Sequence, residues 1–117
     1  MLNNRDNAKQ YIHDLYNMLN KESDKSSHML NITDVLLQVY SKIDKAKNPE
    51  ALIDRLAKYI YSEGMAGKIH LKKEEEALLM ELGTIGQKAG LNGANYADFS
   101  DKSYFYSIFD NNKMPIR

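Results

Sequence analysis

The chain has 117 residues and a mass of 13.4 kDa, room for one domain around a single core and too little for two. It has no cysteine, which excludes disulfide scaffolds, cysteine-ligated zinc, iron–sulfur clusters and thiol nucleophiles. Sixteen basic residues balance sixteen acidic ones, so the positive field of nonspecific nucleic-acid binding is missing, and no apolar run is long enough for a bilayer span or a secretory signal.

The first predicted helix carries Ala8, Tyr11, Ile12, Leu15, Tyr16 and Leu19 as one apolar stripe, with Asp6 or Asn7 available as cap. Lys21 to Ser27 contains no apolar residue and reads as a charged loop that tolerates substitution. A second stripe follows, of Ile32, Val35, Leu36, Val39, Tyr40 and Ile43. Asn31 is placed to cap it, and Leu30 and Val35 have the spacing of a hydrophobic staple.

Asn48-Pro49-Glu50 reads as cap, first helical residue and first-turn acid. Leu52, Ile53, Leu56, Ala57 and Ile60 then recur at helical spacing, and this third helix is expected to stop near Gly64, with Gly67 completing a loop. In the fourth segment Glu75, Leu78, Leu79, Leu82, Ile85, Gly86 and Ala89 share one side, where Glu75 alone breaks the apolar pattern. Lys72 holds its cap position without an acceptor to offer, and Gly90 stands where a left-handed residue would end the helix. Four such helices with short connections predict an all-α fold, an antiparallel up-down four-helix bundle over about 6–90. The remainder, about 91–117, reads as an irregular aromatic-rich C-terminal tail of the same single domain.

Catalytic motifs are missing. The chain has no glycine-rich phosphate loop, nucleophile elbow or metal-binding histidine pair. His13 falls on a helix flank, and His28 and His70 fall in loops, where they read as ordinary surface residues. Glu74, Glu75 and Glu76 point about 100° apart on a helix and read as a solvated first turn, not a metal site. No cofactor, metal or enzymatic activity is expected.

Three features suit a binding role. Lys68, His70, Lys72 and Lys73 form a basic cluster before the fourth helix, either a solvated loop or a contact for an acidic partner or an anionic membrane face. Gly83, Gly86 and Gly90 follow one flank of the fourth stripe, which suits tight helix packing or a shallow groove. Tyr96, Phe99, Tyr104, Phe105, Tyr106 and Phe109 lie outside the periodic segments and either cover the bundle or await a partner.

At higher resolution the residues resemble a family, the immunity proteins for pediocin-like (class IIa) bacteriocins, of the enterocin A immunity type. The resemblance runs through Asn7-Ala8-Lys9-Gln10, His13-Asp14-Leu15-Tyr16-Asn17, Asp34-Val35-Leu36 and Val39-Tyr40. It continues through Leu52-Ile53-x-Arg55-Leu56 and Tyr59-x-Tyr61 to its strongest block, Ile85-Gly86-x-x-Ala89-Gly90-Leu91-Asn92-Gly93, then Ala97-Asp98 and Asp101-Lys102-Ser103-x-Phe105. The chain departs in a longer first loop, in Lys72 where a capping hydroxyl is usual, and in Tyr106 to Arg117, which extend past the match.

The resemblance implies a cytoplasmic four-helix bundle without catalytic activity. Its implied partner is the bacteriocin-bound membrane subunits of the mannose phosphotransferase permease, engaged from inside the cell so that the lethal pore is blocked. Peripheral membrane contact is compatible with that role, and the C-terminal half is implied to recognise the cognate complex. The residues expected to make partner contacts are Lys68, His70, Lys72, Lys73, Gly86, Tyr96, Phe99, Asp101, Lys102 and Phe105. The alternative reading is a general small helical adaptor or regulatory protein. A nucleic-acid binder is disfavoured by the neutral charge and the lack of a basic recognition helix.

Overall fold

The computed structural model describes residues 4–88. Over these residues the chain forms four helices, α1 (Asn4–Asn20), α2 (Ser27–Lys42), α3 (Pro49–Ala66) and α4 (Lys73–Gln87), with one 3-10 turn at Ile43–Lys45. Each helix packs on the next and α4 closes the ring against α1. Contacts between helix ends establish the directions. Asn4 donates to Glu50 at 3.2 Å, Arg5 to the carbonyl of Ala46 at 2.8 Å, and Lys88 to Asn4 at 3.3 Å. The starts of α1 and α3 therefore share one end of the molecule with the ends of α2 and α4. At the opposite end Lys72 meets Glu22 at 3.1 Å and His28 meets Glu63 at 2.9 Å. The helices run up, down, up and down, as their stripes predict.

The stripes fill the core. Ala8, Ile12, Leu15 and Leu19 from α1 meet Ile32, Val35, Leu36 and Val39 from α2, with Ile43 beneath them. From the other side come Ile53, Leu56, Ala57 and Ile60 of α3 and Leu79, Leu82 and Ile85 of α4. Tyr11, Tyr16, Tyr40, Leu52 and Leu78 are half-buried around this centre, their polar or branched ends covering its edges.

Several boundaries differ from the sequence expectation, each for a local physical reason. Helix α1 begins at Asn4, ahead of the expected caps Asp6 and Asn7. Helix α2 starts five residues before the expected position, because Ser26 caps it: its hydroxyl accepts the Met29 N–H at 3.2 Å. Asp24 in turn accepts the Ser26 N–H at 2.8 Å, so the charged loop 21–27 contains the cap and is not freely replaceable. Asn31 is drawn away from capping by a tertiary partner, donating its side-chain amide to Glu63 at 2.8 Å. Leu30 lies inside the helix and is largely exposed, so the Leu30–Val35 staple does not form. His28 accordingly sits in the first turn of α2, not in a loop, and its ring nitrogen faces Glu63.

Helix α3 begins as predicted, with Asn48 accepting the Ala51 N–H at 3.1 Å and Pro49 in the first turn. It runs past Gly64 to Ala66. The expected C-terminal residue of α4, Gly90, and its neighbour Ala89 lie outside the described residues, as does the whole aromatic tail.

Candidate functional site

The basic cluster lies at the end of the bundle where α3 hands over to α4. Helix α3 stops in a Schellman motif: Ile69 N–H bonds the Gly64 carbonyl at 2.9 Å and Lys68 N–H bonds that of Met65 at 3.2 Å. That motif places one residue in the left-handed region, and the residue is Lys68, at φ 54°. Gly67, one position earlier, keeps an ordinary negative φ and serves a different purpose. A Cβ on it would lie 2.6 Å from the Cβ of His28, so only a glycine lets the first turn of α2 pack this closely. Because a lysine carries the left-handed position, Lys68→Gly is expected to stabilise the fold by roughly 0.5–1 kcal/mol, read as a higher denaturant midpoint. An unchanged or lower midpoint would contradict that backbone assignment.

Beyond the motif, inward and outward residues alternate. Ile69 and Leu71 pack half-buried against the core, whereas His70 and Lys72 are exposed. Between this segment, the last turns of α3 and the first turns of α4 an open groove of about 540 Å³ forms. Ile60, Ile69, Leu71 and Leu79 supply its apolar surface, and Tyr61, Met65, Lys68, His70 and Glu76 also line it. Tyr61 and Met65, one helical turn apart, are 45% and 79% exposed, a large apolar surface to leave in water.

The structure thus brings Lys68 and His70 together in the groove lining, and leaves Lys72 and Lys73 out of it. Lys72 turns to Glu22 in the α1–α2 loop, and that ion pair raises its ammonium pKa. Lys73 lies exposed in the first turn of α4, beside the groove but not in its lining. Gly86 lies near the other end of α4, buried against α3: a Cβ there would come within 2.6 Å of the Asp54 Cα. Its role is the tight helix packing that the sequence allowed for. Gly83 faces open space among the described residues. Tyr96, Phe99, Asp101, Lys102 and Phe105 lie outside the described residues.

Sequence reasoning missed a carboxyl pair, Glu22 and Glu75, in a separate hollow between the α1–α2 loop and the start of α4, although Glu75 was the one residue breaking its stripe. Glu75 is only 3% exposed, not part of a solvated turn. Its carboxylate accepts the Lys72 N–H at 2.8 Å, supplying the half of a capping box that the lysine side chain cannot. Burial first, and a hydrogen bond with the Glu22 side chain second, raise the Glu75 pKa above the ordinary glutamate value. Glu22 is held below that value by hydrogen bonds from Glu75 and then Lys72.

The two shifts have opposite consequences for stability. The Glu75 contribution is fully present below the ordinary glutamate pKa and is lost as pH rises through the raised one. The Glu22 contribution is present above the ordinary pKa and is lost as pH falls through the depressed one. A glutamine at position 75 keeps an acceptor for Lys72 and a permanent donor to Glu22. The stability of Glu75→Gln relative to the parent should therefore increase from about pH 4 to about pH 7 in denaturant titrations. A difference that does not vary with pH would show that the two carboxyls are uncoupled.

Among the described residues no cluster of histidine, aspartate and glutamate is arranged to hold a metal ion, and no helix is long and apolar enough to cross a membrane. What the geometry offers is contact surface: a small helical bundle with an apolar groove at one end, lined also by Lys68, His70 and Glu76. Comparison with known proteins places that bundle. Residues 6–87 match the bacteriocin immunity protein family, and the chain belongs to it. It is 52% identical over 105 residues to the probable leucocin-A immunity protein of Leuconostoc gelidum, covering 90% of this chain and 92% of the relative. The probable mesentericin-Y105 immunity protein of Leuconostoc mesenteroides is 50% identical over the same extent. Both relatives are named as immunity proteins and not as enzymes. No solved structure matches the chain with significance.

Proposed function

We propose that this immunity protein acts in the cytoplasm, protecting the cell from a pediocin-like bacteriocin by binding the bacteriocin-engaged membrane subunits of the mannose phosphotransferase receptor and blocking the pore. The observation that carries the reading is the identity of about half of all residues, over nine-tenths of the chain, with proteins named for immunity to leucocin A and mesentericin Y105. The bundle supports an action by contact, since its stripes are consumed in folding while Tyr61 and Met65 stay exposed at one apolar groove. Lys68, His70 and Lys73 are available there for an acidic face of the receptor or for peripheral membrane contact. Recognition of the particular bacteriocin complex is assigned to the segment from Leu91 to Arg117, whose aromatic residues are the kind that anchor interfaces.

The test is expression in a bacteriocin-sensitive strain challenged with leucocin A, mesentericin Y105 and further pediocin-like peptides. Survival against at least one peptide is expected, together with recovery of the receptor subunits on the tagged protein only when that peptide is present. Grafting Leu91 to Arg117 onto a relative with another target should transfer the resisted peptide. Protection against none of the panel would overturn the immunity reading. Protection without peptide-dependent receptor recovery would overturn the mechanism.

A further inference from the structure

The charges of this neutral chain are spread unevenly over the bundle. Arg5, Lys9, Lys42, Lys45, Lys47 and Lys88 gather at the end where α1 and α3 begin and α2 and α4 finish. Three contacts hold that cluster together. Arg5 reaches the Ala46 carbonyl at 2.8 Å, Lys9 reaches Asp44 at 2.6 Å and Lys88 reaches Asn4 at 3.3 Å. The acids of this end are Asp6, Asp44 and Glu50, half as many as the bases. One turn further in, Asp54 is paired with Lys58 at 3.0 Å and leaves the excess unchanged. Lys45 and Lys47 are exposed and form no ion pair with any described residue. The opposite end shows no such excess, since Glu22 holds Lys72 and the first turn of α4 carries Glu74, Glu75 and Glu76.

What the basic end lacks is equally informative. The exposed large apolar side chains among the described residues are Leu30, Tyr61, Met65 and Met80. The first three stand towards the opposite end, and Met80 is midway along α4. Cores of protein interfaces are rich in aromatic residues, methionine and arginine and poor in lysine. A lysine surface with no apolar anchor suits a partner that asks for charge without shape. An anionic bilayer is such a partner, because each lysine near it adds to the attraction whatever the fit of its side chain.

We infer that this end of the bundle rests on an anionic phospholipid surface, with Lys45 and Lys47 among the headgroups. Helix α4 finishes at the same end. The contact therefore brings Lys88, and with it the origin of the recognition segment, to the membrane that holds the receptor. The inference rests on the reading of the chain as acting at a membrane receptor. It assigns the lipid contact to the end of the bundle opposite Lys68 and His70.

The test is co-sedimentation of the full chain with phosphatidylcholine vesicles, with and without phosphatidylglycerol. Binding is expected only where phosphatidylglycerol is present, and it should fall as salt rises. Lys45→Ala and Lys47→Ala should each weaken it about fivefold, and the double variant Lys45→Glu, Lys47→Glu should abolish it. Both positions are exposed, so the melting temperatures should match that of the parent. Lys21→Ala, at the opposite end, should leave binding unchanged. Equal binding to both vesicles, no binding to either, or a loss caused by Lys68→Ala and not by Lys45→Ala would overturn the inference. So would receptor recovery that needs Lys45 and Lys47 while the parent ignores the vesicles, which would assign the surface to an acidic protein face. The double variant is then challenged in the sensitive strain, where weaker protection is expected. Full protection by a double variant that no longer binds vesicles would overturn the membrane placement of the recognition segment. Vesicle binding by a parent chain that protects against nothing refutes the immunity reading and supports the lipid contact.

Discussion

Leu82→Ala is expected to destabilise the protein by ~2–5 kcal/mol, enough to lower the melting temperature by roughly 8–20 °C. Leu82 is fully buried in the middle of α4, which packs against both α3 and α1. Truncation removes the transfer free energy of its methyl and methylene groups and leaves a void that helices held on two sides close only in part. Leu36→Ala, in α2 and equally buried, should behave alike. Glu81, its exposed neighbour, supplies the control, and Glu81→Ala should stay within about 0.5 kcal/mol of the parent. Thermal melts followed by circular dichroism decide the matter, and a Leu82→Ala melt like that of the parent would contradict the assigned core face.

Gly86→Leu should be comparably damaging, for the opposite reason. An added Cβ would stand 2.6 Å from the Asp54 Cα and 2.8 Å from its backbone nitrogen. Backbone cannot swing aside as a side chain can, so α3 and α4 must separate, at a cost of about 1–3 kcal/mol or more. The gain in helix propensity on replacing glycine, about 1 kcal/mol, does not offset this. Gly83 makes the comparison clean, because it lies in the same helix with nothing within 4 Å of its would-be Cβ. Gly83→Ala should therefore stabilise, by roughly 0.5–1 kcal/mol, and the two glycines should give opposite signs in one denaturation series. Stabilisation by Gly86→Leu would mean that α4 does not approach α3 at this point.

The carboxyl pair and the capping residues show where a linear reading stops. The period of Ile32, Val35, Leu36 and Val39 identifies the buried face of α2, because burial on one side of a helix must recur every three to four residues. The start of that helix does not follow from the period. Asn31 and Ser26 are both good caps, and what separates them is Glu63, which lies 32 positions from Asn31 in the chain and claims its amide. In α4 the odd position of Glu75 among leucines was visible. That it is buried beside Glu22, and not bent out to solvent, depends on the α1–α2 loop folding back onto the first turn of α4.

The candidate site divides the same way. Lys68, His70, Lys72 and Lys73 stand together in the sequence, and their clustering was legible as charge. Which of them faces an apolar groove was not, since that depends on the left-handed turn at Lys68, the in-and-out alternation after it and the capture of Lys72 by Glu22. Tyr61 and Met65 have the same helical spacing as core residues and become surface only because the bundle closes without covering them. By itself the sequence determined the four helices of the described residues, their buried stripes, the lack of disulfide staples and the family, because these rest on periodicity, composition and residue identity along the chain. Tertiary structure alone decided the cap of α2, the burial of Glu75, the separate roles of Gly67, Gly83 and Gly86, and the groove. Each of those depends on distances between residues far apart in the chain, which only the packing of one helix against another sets.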